Sequence, residues 1–112
     1  GFNVLIRPAM YDSYHDVEIY REHGEDTGRK EVVSIVGNIC ESGDILAKKR
    51  ELPEILQDDI IGGLDAGAYG YAMSSNYNNR LRPAEVLIQE DGSDKLIRRR
   101  DSLEDLLRGF DI

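Results

Sequence analysis

The feature that most constrains this chain is the way its apolar residues are portioned into short runs, each cut off by glycine, proline or a charged cluster. Val32-Val33-Ser34-Ile35-Val36, closed by Gly37, is the clearest. β-Branched side chains are stiff at χ1 and pack well on a pleated surface, so this run reads as a strand. Val4-Leu5-Ile6 is a shorter apolar run of the same kind. It stops at Arg7-Pro8, because proline removes a backbone donor and restricts the residue before it. Ala9-Met10-Tyr11 leaves room for one turn of helix, and Tyr14, Val17 and Ile19 then suggest an extended segment. Residues 22–30, polar with Gly24 and Gly28, read as a surface hairpin loop. Ile45-Leu46-Ala47 lies between Gly43 and the charged group Lys48-Lys49-Arg50-Glu51, after which Leu52-Pro53 breaks the chain again. Residues 60–64 predict another strand, with Gly62 and Gly63 marking a bulge or a close backbone approach. Residues 65–73 set Tyr69 and Tyr71 among small neighbours, and 74–79 form a polar turn. Residues 85–88 and 95–99 flank Asp91-Gly92, a hairpin signal. Asp101 or Ser102 can cap a last helix, with Glu104 or Asp105 three residues on and Leu103, Leu106 and Leu107 on one face. The sum is a mainly β fold, a Greek-key barrel or sandwich with a short C-terminal helix.

At 112 residues the chain suits one compact domain, without internal repeats or a low-complexity linker. A domain this small leaves much apolar surface exposed, which suits a partner or a further part of the same polypeptide. With 40% hydrophobic and 32% charged residues it reads as globular, and a net charge of -8 argues against a nucleic-acid surface. No run approaches the roughly 18 apolar residues of a membrane span, and no basic-then-apolar signal segment opens the chain. Gly1-Phe2-Asn3-Val4-Leu5-Ile6 reads like the middle of a folded sequence rather than a natural N-terminus. The single cysteine, Cys40, rules out an internal disulfide and a four-cysteine zinc site, and it suits a reducing cytoplasm. His15 and His23 stand apart, neither at metal-ligand spacing with Cys40, so no metal is expected.

Four segments have the residues for chemistry. In Cys40-Glu41-Ser42-Gly43-Asp44 a thiol stands beside a carboxylate on a turn tightened by Gly43, and such a thiol can deliver a proton near neutral pH. The plainer alternative is a buried small residue at a strand end, where free cysteines are common. Arg7 follows an apolar run, which puts its guanidinium at a strand end; the fork suits a carboxylate or phosphate, or simply a surface ion pair. Gly67, Ala68 and Gly70 let a flat ligand approach Tyr69, whose hydroxyl then reaches a phosphate oxygen; a core tyrosine is the competing reading. Arg98-Arg99-Arg100 is split between two faces by strand alternation and reads as a solvated or ion-paired surface.

Six segments in order, Arg-Pro-Ala-Met-Tyr (7–11), Cys-Glu-Ser-Gly-Asp (40–44), Asp-Ala-Gly-Ala-Tyr-Gly (65–70), Met-Ser-Ser-Asn-Tyr-Asn (73–78), Arg-Pro-Ala-Glu-Val-Leu (82–87) and Leu-Ile-Arg-Arg-Arg (96–100), resemble the C-terminal part of the diaminopimelate decarboxylases. These are fold-type III enzymes that use pyridoxal phosphate. The likeness runs over nearly the whole chain and is weakest across 22–30. Asn38 departs from it, standing where the family has proline. The resemblance implies that a preceding (β/α)8 barrel, with the Schiff-base lysine and a glycine-rich phosphate loop, is missing here. The chain is therefore expected to be a piece of a longer enzyme, inactive alone.

What the resemblance implies for function is specific. The reaction is decarboxylation of meso-2,6-diaminopimelate to L-lysine, in a head-to-tail homodimer whose active sites lie at the subunit interface. Cys40 would protonate the α-carbon of the substrate in the other subunit's site. Glu41 would bind the distal amino group, Arg7 the distal carboxylate with help from Tyr11, and Tyr69 both cofactor phosphate and substrate. Related ornithine, arginine and carboxynorspermidine decarboxylases share the architecture, and alanine racemase more distantly. Glu41 in place of the aspartate usual in ornithine enzymes, together with Arg7 for a second carboxylate, favours diaminopimelate. A β-domain that only mediates association is the non-enzymatic alternative.

Overall fold

The computed structural model describes residues 1–111. Its elements follow in the order α1 (Arg7–Tyr11), β1 (Val17–Tyr20), β2 (Lys30–Val36), β3 (Ile45–Pro53), β4 (Ile60–Gly63), a 3-10 turn (Tyr77–Asn79), β5 (Glu85–Ile88), β6 (Asp94–Arg98) and α2 (Leu103–Leu107). The fold is mainly β, as the short apolar runs predict. The strands pair antiparallel as β1 with β4, β2 with β3, and β5 with β6. The β1–β4 pair encloses the β2–β3 hairpin in sequence.

The β2–β3 ladder carries the core. Ile35, Ala47 and Leu52 are buried together, with Val17, Val33, Leu46 and Ile55 packed against them. Two register shifts, on either side of Ile35, bend the ladder, and Lys49 adopts a left-handed conformation at φ 47°. This explains why β3 runs on to Pro53, through a charged group expected to end it. The irregularity keeps Ala47 and Leu52 inward while Lys48, Lys49 and Glu51 face solvent. Pro53 is tolerated because it is the last residue of its strand.

The expected strand at residues 4–6 does not form. The N–H of Val4 closes a turn onto the carbonyl of Gly1 (3.0 Å), and α1 begins at Arg7. Pro8 lies in the first turn of α1, where its missing donor leaves no gap. At β4 the expected close approach is present: a side chain at Gly62 would meet the Tyr20 ring at 2.8 Å. The Asp91-Gly92 hairpin forms with Gly92 at φ 84°. Ser102 caps α2. Its hydroxyl accepts from the Asp105 N–H while the Asp105 carboxylate accepts from the Ser102 N–H, a reciprocal capping box.

Candidate functional site

The described residues place the five candidate side chains in two groups. The first gathers around Arg7. As the first residue of α1, not the last of a strand, Arg7 sets its guanidinium 4.5 Å from the centre of the Tyr69 ring and 5.3 Å from that of Tyr11. Tyr11 lies four residues on, on the same helix face. Tyr69 arrives from the turn after β4, held by bonds from the Gly70 N–H to Ala66 (2.6 Å) and from the Met73 N–H to Tyr69 (2.9 Å). Both rings stay open, Tyr11 59% and Tyr69 54% exposed, which sets aside the core-tyrosine reading. Among the described residues the Arg7 side chain has no carboxylate partner. A fork with free donors on two aromatic faces, with open space beside Gly67, suits an anionic oxygen group approaching from outside.

The second group gathers around Cys40, in the loop from β2 to β3. Cys40 is exposed and free, not packed away at a strand end. The backbone turns twice here, with the Glu41 N–H bonded to Ile39 (2.8 Å) and the Asp44 N–H bonded to Glu41 (3.1 Å). The Glu41 carboxylate accepts the Tyr77 hydroxyl at 3.0 Å. That bond pushes the Tyr77 phenol above its ordinary value, so it stays a donor; Cys40 nearby adds a smaller push in the same direction. Phe2 packs edge-on against the Tyr77 ring at 5.6 Å, and Arg80 donates to the Asn38 carbonyl at 2.9 Å. Sequence reasoning placed Tyr77 in a polar turn and gave it no role. Its signal was its position in the Met-Ser-Ser-Asn-Tyr-Asn segment. Among the described residues no hydrogen bond or ring contact joins this group to the Arg7 group.

The arginine run is split as expected. Arg98 pairs with Glu85 (2.6 Å) and lies 3.9 Å from the centre of the Tyr71 ring. Arg82 stacks on that same ring at 4.0 Å. Arg99 pairs with Asp105 (2.5 Å).

Comparison with known proteins bears on both groups. Residues 1–67 match the family of pyridoxal-dependent decarboxylases, C-terminal sheet domain. The diaminopimelate decarboxylase of Methanothermobacter thermautotrophicus is 46% identical over all 112 residues, which cover 26% of that relative. That of Archaeoglobus fulgidus is 53% identical over 107 residues, 96% of this chain and 25% of that one. The crystal structure of the Methanocaldococcus jannaschii diaminopimelate decarboxylase in complex with L-lysine superimposes with a TM-score of 0.84 at 41% identity, covering 100% of this chain and 24% of that one. The chain thus spans about a quarter of the length of the relatives it matches.

Proposed function

Because this chain belongs to the pyridoxal-dependent decarboxylase family, matching its C-terminal sheet domain, we propose that it works as that domain in a diaminopimelate decarboxylase. The reaction removes one carboxyl group of meso-2,6-diaminopimelate as carbon dioxide and leaves L-lysine. The observation that carries this reading is the Arg7 group, whose fork without a carboxylate partner suits the second carboxylate that diaminopimelate has and ornithine lacks.

The residues present fit pyridoxal phosphate at its periphery. The open Tyr69 hydroxyl, among small neighbours, suits a phosphate oxygen. When bound, the cofactor supplies an electron sink for the pair left behind by carbon dioxide. Arg7 holds the distal carboxylate, with Tyr11 beside it to keep the guanidinium in place. Glu41 takes the distal amino group as a charge-assisted hydrogen bond, oriented by Tyr77. Cys40 gives the proton to the α-carbon as the carboxyl leaves. The separation of the two groups supports a homodimer in which Cys40 and Glu41 of one subunit serve the site that holds the partner's cofactor. The free thiol suits a reducing cytoplasm.

The test is a substrate assay on the full-length enzyme, following carbon dioxide and lysine. Release of lysine from meso-diaminopimelate, with ornithine and arginine turned over far more slowly, is expected. Preference for ornithine or arginine, or no decarboxylation of any of them, would overturn the reading.

A further inference from the structure

Asp44 is buried, 3% exposed as a whole residue, and the roles assigned above leave it unused. Its surroundings show what it does. One carboxylate oxygen accepts the Ile39 N–H at 2.9 Å and the other the Phe2 N–H at 2.6 Å. Its own N–H donates to the Glu41 carbonyl at 3.1 Å, and its carbonyl accepts the Gly37 N–H at 2.9 Å. Cys40 therefore lies between two residues that Asp44 grips: Ile39 by its amide, Glu41 by its carbonyl. The fit is close. A side chain at Gly37 would fall on the Asp44 carboxylate, and one at Gly1 would come within 2.7 Å of it. Both carboxylate oxygens receive backbone donors, so the group acts purely as an acceptor. The Phe2 bond ties the turn to the segment that also carries the ring packed on Tyr77.

We propose that Asp44 is a positioning residue, which fixes the Ile39-Cys40-Glu41 turn from the inside so that the thiol and the Glu41 carboxylate are held at one set of positions. It touches neither substrate nor cofactor. The inference rests on the proposed roles of Cys40 and Glu41, but the clamp itself does not depend on the identity of the substrate. Misplacement of a reacting group by about 1 Å is enough to lower a rate by a factor on the order of 100. Asparagine keeps the size of Asp44 but offers an amide donor to one of the two N–H groups, so one bond is lost and replaced by repulsion.

The experiment is a double-mutant cycle in the full-length enzyme, with Asp44→Asn, Cys40→Ser and the pair. Asp44→Asn alone should lower kcat roughly 10–100-fold in enzyme that stays folded at the assay temperature, with a lowered melting temperature and Cys40 alkylated by iodoacetamide at a changed rate. In the Cys40→Ser background the same change should lower kcat by a clearly smaller factor, because one of the two groups it positions is already gone. Equal effects of Asp44→Asn in both backgrounds, or no effect in either, overturn the proposal. If the full-length enzyme proves to act on another substrate, the alkylation rate still reports on the clamp. If Asp44→Asn does not fold, wild-type hydrogen exchange decides: a strongly protected Ile39 amide supports the clamp, and one exchanging like an open loop overturns it.

Discussion

Around Arg7 the chain holds its polar residues with rings; around Cys40 it holds them with hydrogen bonds. The Arg7 guanidinium rests on Tyr11 and Tyr69, both more than half exposed. Cation–π contacts at exposed sites contribute about 0.5–1 kcal/mol each, and they set distance better than direction. Such a group can turn its donors toward an arriving anion. The Cys40 turn has backbone bonds on both sides, a buried carboxylate beneath it and Tyr77 fixing Glu41. It has little freedom left. The difference fits the two tasks proposed for them: capture of a charged part of a ligand remote from the reacting bond by the first group, and presentation of a closely placed proton donor by the second.

If that division is right, the largest effect belongs to Cys40. Cys40→Ser preserves size but supplies a far weaker acid. In the full-length enzyme it should lower kcat by about 10²–10⁴-fold, the range of general acid–base groups, while the melting temperature stays unchanged because the thiol is exposed. The two groups also predict complementation. In the proposed homodimeric enzyme, mixing Cys40→Ala with Arg7→Ala subunits, assayed at a substrate concentration well below the raised KM so that each is weak alone, should yield heterodimers. If each site draws Arg7 from one subunit and Cys40 from the other, one site carries both defects and the other neither. Activity should then return in part. Failure to recover, once mass measurement shows that subunits have exchanged, would mean that each site draws both groups from the same subunit, and would break the comparison.

Arg7→Ala alone should act more weakly and on a different constant. Hydrogen bonds to charged groups contribute about 1.5–3 kcal/mol, which corresponds to roughly 10–100-fold in binding. The rise should appear mainly in KM for meso-diaminopimelate, with a smaller loss of kcat through mispositioning. Unchanged kinetic constants would make Arg7 a surface residue. A loss confined to kcat would erase the distinction between capture and chemistry.

Much of this division was legible in the sequence, though not all. Val32-Val33-Ser34-Ile35-Val36 and Asp91-Gly92 announced their strand and hairpin because local propensity and tertiary pairing agree there. Val4-Leu5-Ile6 misled because the strand signal is local, whereas the turn that replaces it depends on Asp44, 42 residues from Phe2. Lys48-Lys49-Arg50-Glu51 looked like a strand end because register shifts, which let a charged stretch continue along a ladder, leave no mark in the pattern. Arg7, Tyr11 and Tyr69 were each singled out, and Arg7 and Tyr11 share a helix face, yet the stacking of Arg7 on Tyr69 is a long-range contact with no periodicity to betray it. Asp44 and Tyr77 stood in the segments that carry the family resemblance. Their roles appear only when burial and hydrogen bonding are known.

The smallest effect on turnover is expected from a residue in neither group, and it marks where the comparison should stop. The Asp59 side chain, 1% exposed, accepts from the Arg21 guanidinium through both oxygens, at 2.8 and 2.6 Å, and from the Leu56 N–H at 2.8 Å. The Arg21 bond, then the Leu56 amide, hold its carboxyl below the ordinary aspartate value, with desolvation opposing them. A carboxyl depressed on folding contributes stability that is fully present above its unfolded pKa of about 3.9 and is lost as pH falls through the folded value. Asp59→Asn removes that contribution. Wild type should be the more stable at neutral pH, and the gap between the two melting temperatures should narrow as pH falls below about 4. Turnover at neutral pH and moderate temperature should be unchanged. A constant gap across acid pH would mean that Asp59 titrates alike folded and unfolded. A fall in kcat matching that of Asp44→Asn, in enzyme that remains folded, would show that the Cys40 turn depends on the sheet at large rather than on the carboxylate beneath it.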